Sequence, residues 1–98
     1  MTDKVQYGLD NMKHHANSKL VPPGSDGFTF GRHVFTRPGV SQSLINHEAV
    51  HVAQYAQNGI PKFLAVYLCD FLKNLVKYRN FDKAYRNIRY EKEAYDIT

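Results

Sequence analysis

Residues 46–55 read Asn-His-Glu-Ala-Val-His-Val-Ala-Gln-Tyr and lie within a segment that carries the start and stop signals of one long helix. Ser41 or Ser43 can cap the start of this helix, and Gly59, followed by Ile60-Pro61, ends it. Its apolar residues recur at helical spacing and predict a buried stripe made of Ile45, Ala49, Val52, Ala53 and Ala56. We therefore expect the other face of the helix to point toward a cleft.

His47, Glu48 and His51 form the pattern HExxH on this predicted helix. Residues four apart lie above one another on one helix face, so the two imidazoles can reach one ion at a zinc–nitrogen distance of about 2.0–2.1 Å. Glu48 is rotated by about a third of a turn, so its carboxylate can reach a water on the ion without binding the ion itself. We predict that His47 and His51 bind Zn²⁺ and that Glu48 is the general base for a metal-activated water.

A catalytic zinc ion usually takes three protein ligands and one water, so the motif needs one more ligand. Glu91 and Glu93 stand close together near the end of the chain, and either of them could supply it. Asp70 interrupts an apolar run and is expected to face solvent. His33 lies on a predicted strand, where an exposed or hydrogen-bonded histidine is more common than a metal ligand.

The remaining segments predict an α+β fold that is mostly helical. Its predicted elements are a helix over Asp3–Ser18, an extended segment over Phe28–Arg37, a helix over Lys62–Tyr78 that is the main buttress of the core, and a short helix over Ile88–Ile97. Residues 80–87 are expected to form a connection. His14 and His15 fall on the first helix, where adjacent side chains point in different directions. The extended segment is expected to be either half of a hairpin with residues near Leu20 or a lone edge strand beside the site.

Composition restricts the class of protein. With 98 residues, of which 43% are apolar, the chain can build one hydrophobic core, and we expect a single domain over residues 1–98. No stretch approaches the roughly 18 apolar residues of a membrane-spanning helix, and residues 1–10 lack the apolar segment of a classical signal peptide. We therefore expect a soluble protein, either cytoplasmic or exported by a non-classical route. Cys69, the one cysteine, is expected to pack as a small apolar side chain.

The net charge of +4 comes largely from the second half of the chain. Its basic residues recur at loosely helical spacing and are Lys73, Lys77, Arg79, Lys83, Arg86, Arg89 and Lys92. We interpret them as a solvated face, because no recognised nucleic-acid-binding motif accompanies them. Nucleic acid is therefore the less favoured partner, and a peptide or protein substrate is the favoured one.

The motif resembles that of the gluzincins, a branch of the zincin metallopeptidases in which a glutamate on a later helix completes HExxH. More closely, residues 28–95 resemble the minigluzincins, very small domains found in short stand-alone proteins and attached to bacterial toxin or injection-system proteins. The matching residues are His47, Glu48, His51 and Gln54, then Gly59, Phe63 and Tyr67, then residues 84–88, Glu91 and residues 93–95. The resemblance implies a minimal zincin-like domain with an active-site helix, a short edge strand or hairpin and a glutamate-bearing C-terminal helix.

The resemblance also implies roles for individual residues. Glu91 takes the place of the third zinc ligand, in a pattern that usually has an aspartate where this chain has Tyr95. Tyr95 or Asp96 would then replace the carboxylate that orients a ligand histidine. Further candidates for support of the site or for stabilising an oxyanion are Glu93, His33, Tyr78, Tyr85 and Tyr90. Residues 28–36 suit an edge strand to which a substrate peptide could add.

Two functions are consistent with these patterns. The leading hypothesis is a zinc metallopeptidase that cleaves extended peptides. The alternative is a catalytically weak or inactive zinc-binding interaction module of a larger assembly, because so short a chain offers little surface from which to build specificity subsites.

Overall fold

The computed structural model describes residues 3–98, and these residues form an α+β fold dominated by helices. In chain order its elements are α1 (Asp3–Asn11), β1 (Lys13–His15), β2 (Gly27–Phe30), β3 (His33–Thr36), α2 (Gln42–Asn58), α3 (Ile60–Tyr78), α4 (Phe81–Arg86) and α5 (Arg89–Ile97). This architecture confirms the prediction of a mostly helical α+β fold. The helix α2 lies at the centre and contacts α1, α3, α5, β2 and β3.

The central helix α2 follows its sequence signals closely. The Ser41 hydroxyl oxygen accepts a hydrogen bond from the backbone N–H of Leu44 at 3.1 Å and so caps the helix. At the other end, Gly59 has a φ of 82° and donates its N–H to the carbonyl of Tyr55 at 2.7 Å. Every residue from 47 to 55 is buried, so this stretch is covered around its circumference and not along a single stripe, whereas Ala56, predicted to be buried, is exposed.

The first helix is shorter than its apolar pattern predicts. It ends at Asn11 and not at Ser18, because the following residues form β1, which pairs in parallel with β3. The backbone N–H of Lys13 donates to a carbonyl in the turn between β2 and β3 at 2.8 Å. Strand pairing with a distant segment therefore overrides local helical spacing, and His14 and His15 lie on a strand.

The extended segment predicted over residues 28–37 folds back on itself. β2 and β3 form an antiparallel hairpin with its turn at Gly31, and β1 lies on the other side of β3. The hairpin thus forms within the predicted segment and not with the residues near Leu20. β2 is an edge strand of the sheet and contacts α2, as expected for a strand beside the site helix.

The helix α3 ends at Tyr78 as predicted and begins at Ile60, two residues before its predicted start, but it is not the main buttress of the core. Phe63 is buried in contact with Tyr55 and Tyr90. Four apolar residues of α3 form an exposed face and are 42% to 77% exposed, namely Leu64, Leu68, Leu72 and Val76. Cys69 is also exposed, whereas it was expected to pack as a small apolar side chain. Periodicity identified an apolar face but could not show which element would cover it. Within residues 3–98, no helix is both long enough and apolar enough to cross a membrane.

Residues 80–87, predicted as a connection, contain the short helix α4. Asn80 caps it, since its side-chain oxygen accepts a hydrogen bond from the backbone N–H of Lys83 at 3.0 Å. The next helix, α5, begins at Arg89, within one residue of its predicted start. Asp70, expected to face solvent, instead accepts hydrogen bonds from the Arg89 backbone N–H at 3.1 Å and from its guanidinium at 2.7 and 2.9 Å. This contact holds the start of α5 against α3.

The contact between α1 and α2 is close at Gly8. A Cβ atom at this position would overlap the backbone carbonyl of Ala49, so the two helix backbones touch with no side chain between them. Val5 of α1, Val50 of α2 and Ala94 of α5 form a core cluster beside this contact. α1 therefore packs against the buried helix that carries the HExxH motif.

We expect Gly8→Ala to lower the free energy of unfolding by about 1–3 kcal/mol, because the helices must move apart to admit a methyl group. Replacing glycine by alanine inside a helix ordinarily stabilises the folded protein by about 1 kcal/mol. A loss of stability in Gly8→Ala would therefore point to the close helix contact. Urea unfolding followed by circular dichroism measures it, and Gln6→Ala, at an exposed position of α1, is the control. An equally stable Gly8→Ala protein would contradict so close a contact.

Candidate metal centre

Two helices bring three potential metal ligands together. His47 and His51 lie one turn apart on α2, and Glu91 lies in the first turn of α5. The Oε1 atom of Glu91 is 2.9 Å from Nε2 of His47 and 3.1 Å from Nε2 of His51. All three residues are buried, and Glu91 is only 3% exposed. One carboxylate oxygen thus faces both imidazoles.

The donor atoms fit a single metal ion. One potential ligand atom from each of the three residues lies within 4.8 Å of the other two. A tetrahedral ion with bonds of about 2.0–2.1 Å holds its ligands roughly 3.3 Å apart, close to the separations between Glu91 and the two imidazoles. His47, His51 and Glu91 could therefore bind a metal ion through two nitrogens and one oxygen.

Tyr67 of α3 holds the other oxygen of Glu91. Its hydroxyl donates a hydrogen bond to Glu91 Oε2 at 2.6 Å. Burial, together with the charge of Glu91, raises the pKa of Tyr67, so the phenol stays protonated and remains a donor. Oε1 is therefore left for the two histidines. Tyr67 is among the residues that match the minigluzincins, but the sequence did not predict that its hydroxyl would contact the site.

Glu91 and His51 change each other's pKa, and His47 contributes to the change at Glu91. Burial alone would raise the pKa of Glu91, but the hydrogen bonds from His47 and His51 outweigh burial and hold that pKa well below its usual range. Burial alone would lower the pKa of His51, but its hydrogen bond with Glu91 and the charge of Glu91 leave it raised. Glu91 therefore stays ionised, which is the form of a carboxylate that binds a cation.

Glu48, the predicted base, lies beside this group without joining it. Its Oε1 atom accepts a hydrogen bond from the Thr29 hydroxyl at 2.8 Å. A cavity of about 280 Å³ opens next to Glu48, His51 and Glu91, and aromatic residues of α2, α3 and α4 form much of its wall. Thr29, on the edge strand β2, was not predicted from the sequence, yet it orients the Glu48 carboxylate.

Two tyrosines predicted to support the site lie at its edge. Tyr85 of α4 lines the cavity with Glu48 and Glu91, and burial, followed by the charge of Glu91, raises the pKa of Tyr85. Tyr95 of α5 packs against His47, with the ring centres 4.5 Å apart. Tyr85 is therefore a protonated hydroxyl at the cavity, whereas Tyr95 restrains an imidazole through ring contact.

The two neighbouring glutamates of α5 have different surroundings. Glu91 points into the centre, whereas Glu93 accepts hydrogen bonds from Gln54 Nε2 at 2.8 Å and from Lys4 Nζ at 2.7 Å. Residues two apart on a helix point in nearly opposite directions, so one turn of α5 cannot direct both carboxylates at the same ion. Of the two candidates left open by the sequence, the structure brings Glu91 to the histidines.

Other residues considered from the sequence lie elsewhere. Nδ1 of His33 on β3 is 3.1 Å from Nε2 of His15 in the neighbouring strand, and His33 is not among the residues that line the cavity beside Glu48. Asp96 is exposed on α5. Tyr90 stacks on Phe63, with ring centres 4.5 Å apart. The structure therefore does not join His33 or Asp96 to the group of His47, His51 and Glu91.

No protein-family model, curated protein or solved structure matches this chain significantly. The resemblance to gluzincins thus depends on the motif residues alone. Because a fold can host many activities, the geometry of the site, and not the fold, indicates the function.

We expect the purified protein to bind one divalent metal ion per chain at this centre. His47→Ala and Glu91→Ala should each weaken binding by more than about 100-fold, since each removes one of three donors. Elemental analysis after dialysis gives the stoichiometry, and competition with a chromophoric chelator gives the affinity. His33→Ala removes a histidine outside the centre and should bind like the wild type. Equal binding by all variants would place the ion elsewhere.

Proposed function

We propose that this protein is a zinc-dependent hydrolase, a metallopeptidase of the gluzincin type that cleaves extended peptides. The observation that carries the proposal is the convergence of His47, His51 and Glu91, with the Glu48 carboxylate and a cavity beside them. Two imidazoles and one carboxylate are a ligand set of catalytic zinc sites, in which a fourth position stays open. Mg²⁺ and Ca²⁺ would need more oxygen donors than this group offers.

The chemistry that bound zinc supplies is a lowered pKa for water and polarisation of the substrate carbonyl. Glu48 accounts for the movement of the proton. Thr29 holds one oxygen of Glu48, so the other can accept the proton of the attacking water and later pass it to the leaving amine. The Tyr85 hydroxyl in the cavity can donate a hydrogen bond to the carbonyl oxygen as it gains negative charge.

The position of β2 supports a peptide as the substrate. β2 is an edge strand, and its residues Gly27, Phe28 and Thr29 line the cavity beside Glu48. An extended peptide can pair with such an edge through main-chain hydrogen bonds. Its backbone would then pass along the cavity, which brings a peptide carbonyl toward the carboxylate of Glu48.

The alternative is a zinc-binding interaction module with little or no catalytic activity. The exposed apolar face of α3 (Leu64, Leu68, Leu72 and Val76) favours this alternative, because contiguous exposed apolar surface often marks a protein contact. Leu64 also lines the cavity, so a partner on this face would cover the rim of the site. In this case the metal serves mainly to stabilise the fold.

We expect the zinc-loaded wild type to cleave unstructured peptides and Glu48→Gln to lower kcat by about 10²–10⁴-fold, the usual contribution of general acid–base catalysis. The variant should keep its zinc, because Glu48 is not one of the three proposed ligands. Mass spectrometry of a digested peptide mixture measures cleavage, and elemental analysis measures the metal. Asp10→Asn, which neutralises an exposed carboxylate on α1, is the control and should retain wild-type activity.

Equal cleavage by the wild type and by Glu48→Gln would refute the mechanism. No cleavage by either protein, combined with tight zinc binding and a large fall in Tm on chelation, would favour the interaction module.

A further inference from the structure

A chain of hydrogen bonds leads away from the metal centre through Gln54, which is 1% exposed. The amide oxygen of Gln54 is 2.7 Å from Nδ1 of His51. Its amide nitrogen is 2.9 Å from the carbonyl of Tyr90 and 2.8 Å from Oε1 of Glu93. Glu93 also accepts a hydrogen bond from Lys4 at 2.7 Å. The chain therefore connects α2 with α5 and α1.

The chemistry of these partners determines which way the Gln54 amide points. A backbone carbonyl and an ionised carboxylate can only accept hydrogen bonds, so the NH₂ group has to face Tyr90 and Glu93. The amide oxygen then faces His51 and can only accept. His51 Nδ1 must therefore carry a hydrogen, so the imidazole can offer a lone pair to a metal ion only at Nε2. In this structure Nε2 donates its hydrogen to Glu91, and a bound cation would take the place of that hydrogen. Nε2 is the atom that lies 3.1 Å from Glu91.

Gln54 also helps to position α5, the helix that carries Glu91. Tyr90 directly precedes Glu91, so the hydrogen bond from Gln54 to the Tyr90 carbonyl holds the α5 backbone next to the Glu91 carboxylate. A single buried side chain on α2 thus contacts one histidine of the centre and the backbone beside its glutamate. Loss of the amide would affect both.

We propose that Gln54 is the positioning residue of the metal centre. It selects the His51 tautomer that binds through Nε2 and holds α5 in register with α2, while Glu93 and Lys4 keep the amide in this orientation. The inference rests on the proposed zinc function and deepens it, because it names the group that prepares the site for the ion. The resemblance to gluzincins placed such an orienting role at Tyr95 or Asp96, whereas here a residue of the site helix itself fills it.

Gln54→Met tests the proposal, because methionine fills a similar volume without the two polar groups of the amide. We expect zinc affinity to fall by about 10–100-fold. Proton NMR of the zinc-loaded wild type should show a slowly exchanging Nδ1–H of His51 that disappears in Gln54→Met, a signature that altered packing alone would not produce. Gln57→Met, at an exposed position of the same helix, is the control and should match the wild type.

Glu93→Lys is a second test that spares the core, because Glu93 is partly exposed. Lysine can only donate hydrogen bonds, so it opposes the NH₂ group of Gln54 and favours the reversed amide. We expect zinc binding to weaken by about tenfold. Glu93→Gln keeps a carbonyl acceptor for Gln54 but loses the charge that pairs with Lys4, so it should weaken zinc binding less than Glu93→Lys does. Asp10→Lys controls for the change in charge.

The proposal would be overturned if Gln54→Met and Glu93→Lys both bound zinc within about twofold of the wild type and the Nδ1–H signal were retained. The proposed zinc function would then remain intact. If Gln54→Met does not fold, the comparison of Glu93→Lys with Glu93→Gln decides the question alone. A wild-type protein that binds no zinc would refute the proposed function first, and the role of Gln54 with it.

Discussion

The buried carboxylate of Glu91 is the group around which the structure is organised. Burying an ionised carboxylate costs several kcal/mol unless hydrogen-bond donors replace water at both of its oxygens. His47 and His51 face one oxygen, and Tyr67 donates to the other. These partners belong to α2 and α3. Their hydrogen bonds to Glu91, together with apolar packing, therefore determine where α5 lies. The ion pair between Asp70 and Arg89 then secures the start of that helix.

The sequence predicts most accurately those features whose signals are local. The bounds of α2 follow from a capping serine and a glycine with positive φ, both of which act on residues within one turn. The common direction of His47 and His51 follows from the helical repeat alone. The last helix was also predicted within one residue of its observed start.

Features that depend on distant partners are not predictable in this way. His14 and His15 follow an apolar helical pattern, but pairing with β3 makes them part of a strand. Spacing alone could not choose between Glu91 and Glu93, because the choice depends on how α5 is rotated against α2. Thr29 and Tyr67 were missed for the same reason: each contacts a site residue through tertiary structure, at a sequence separation of 19 and 24 residues respectively.

The burial of α2 around its whole circumference affects how a metal ion could be exchanged. Exposed helix ends fray readily, whereas a helix covered on all sides loses its hydrogen bonds only when most of the domain opens. His47 and His51 lie within this covered stretch, so transient loosening of their helix offers no route for an ion. The cavity beside Glu48, His51 and Glu91 and a second cavity that borders His47 and Glu48 offer paths instead. The width of these openings, and not backbone breathing, would then set the rates of metal uptake and release.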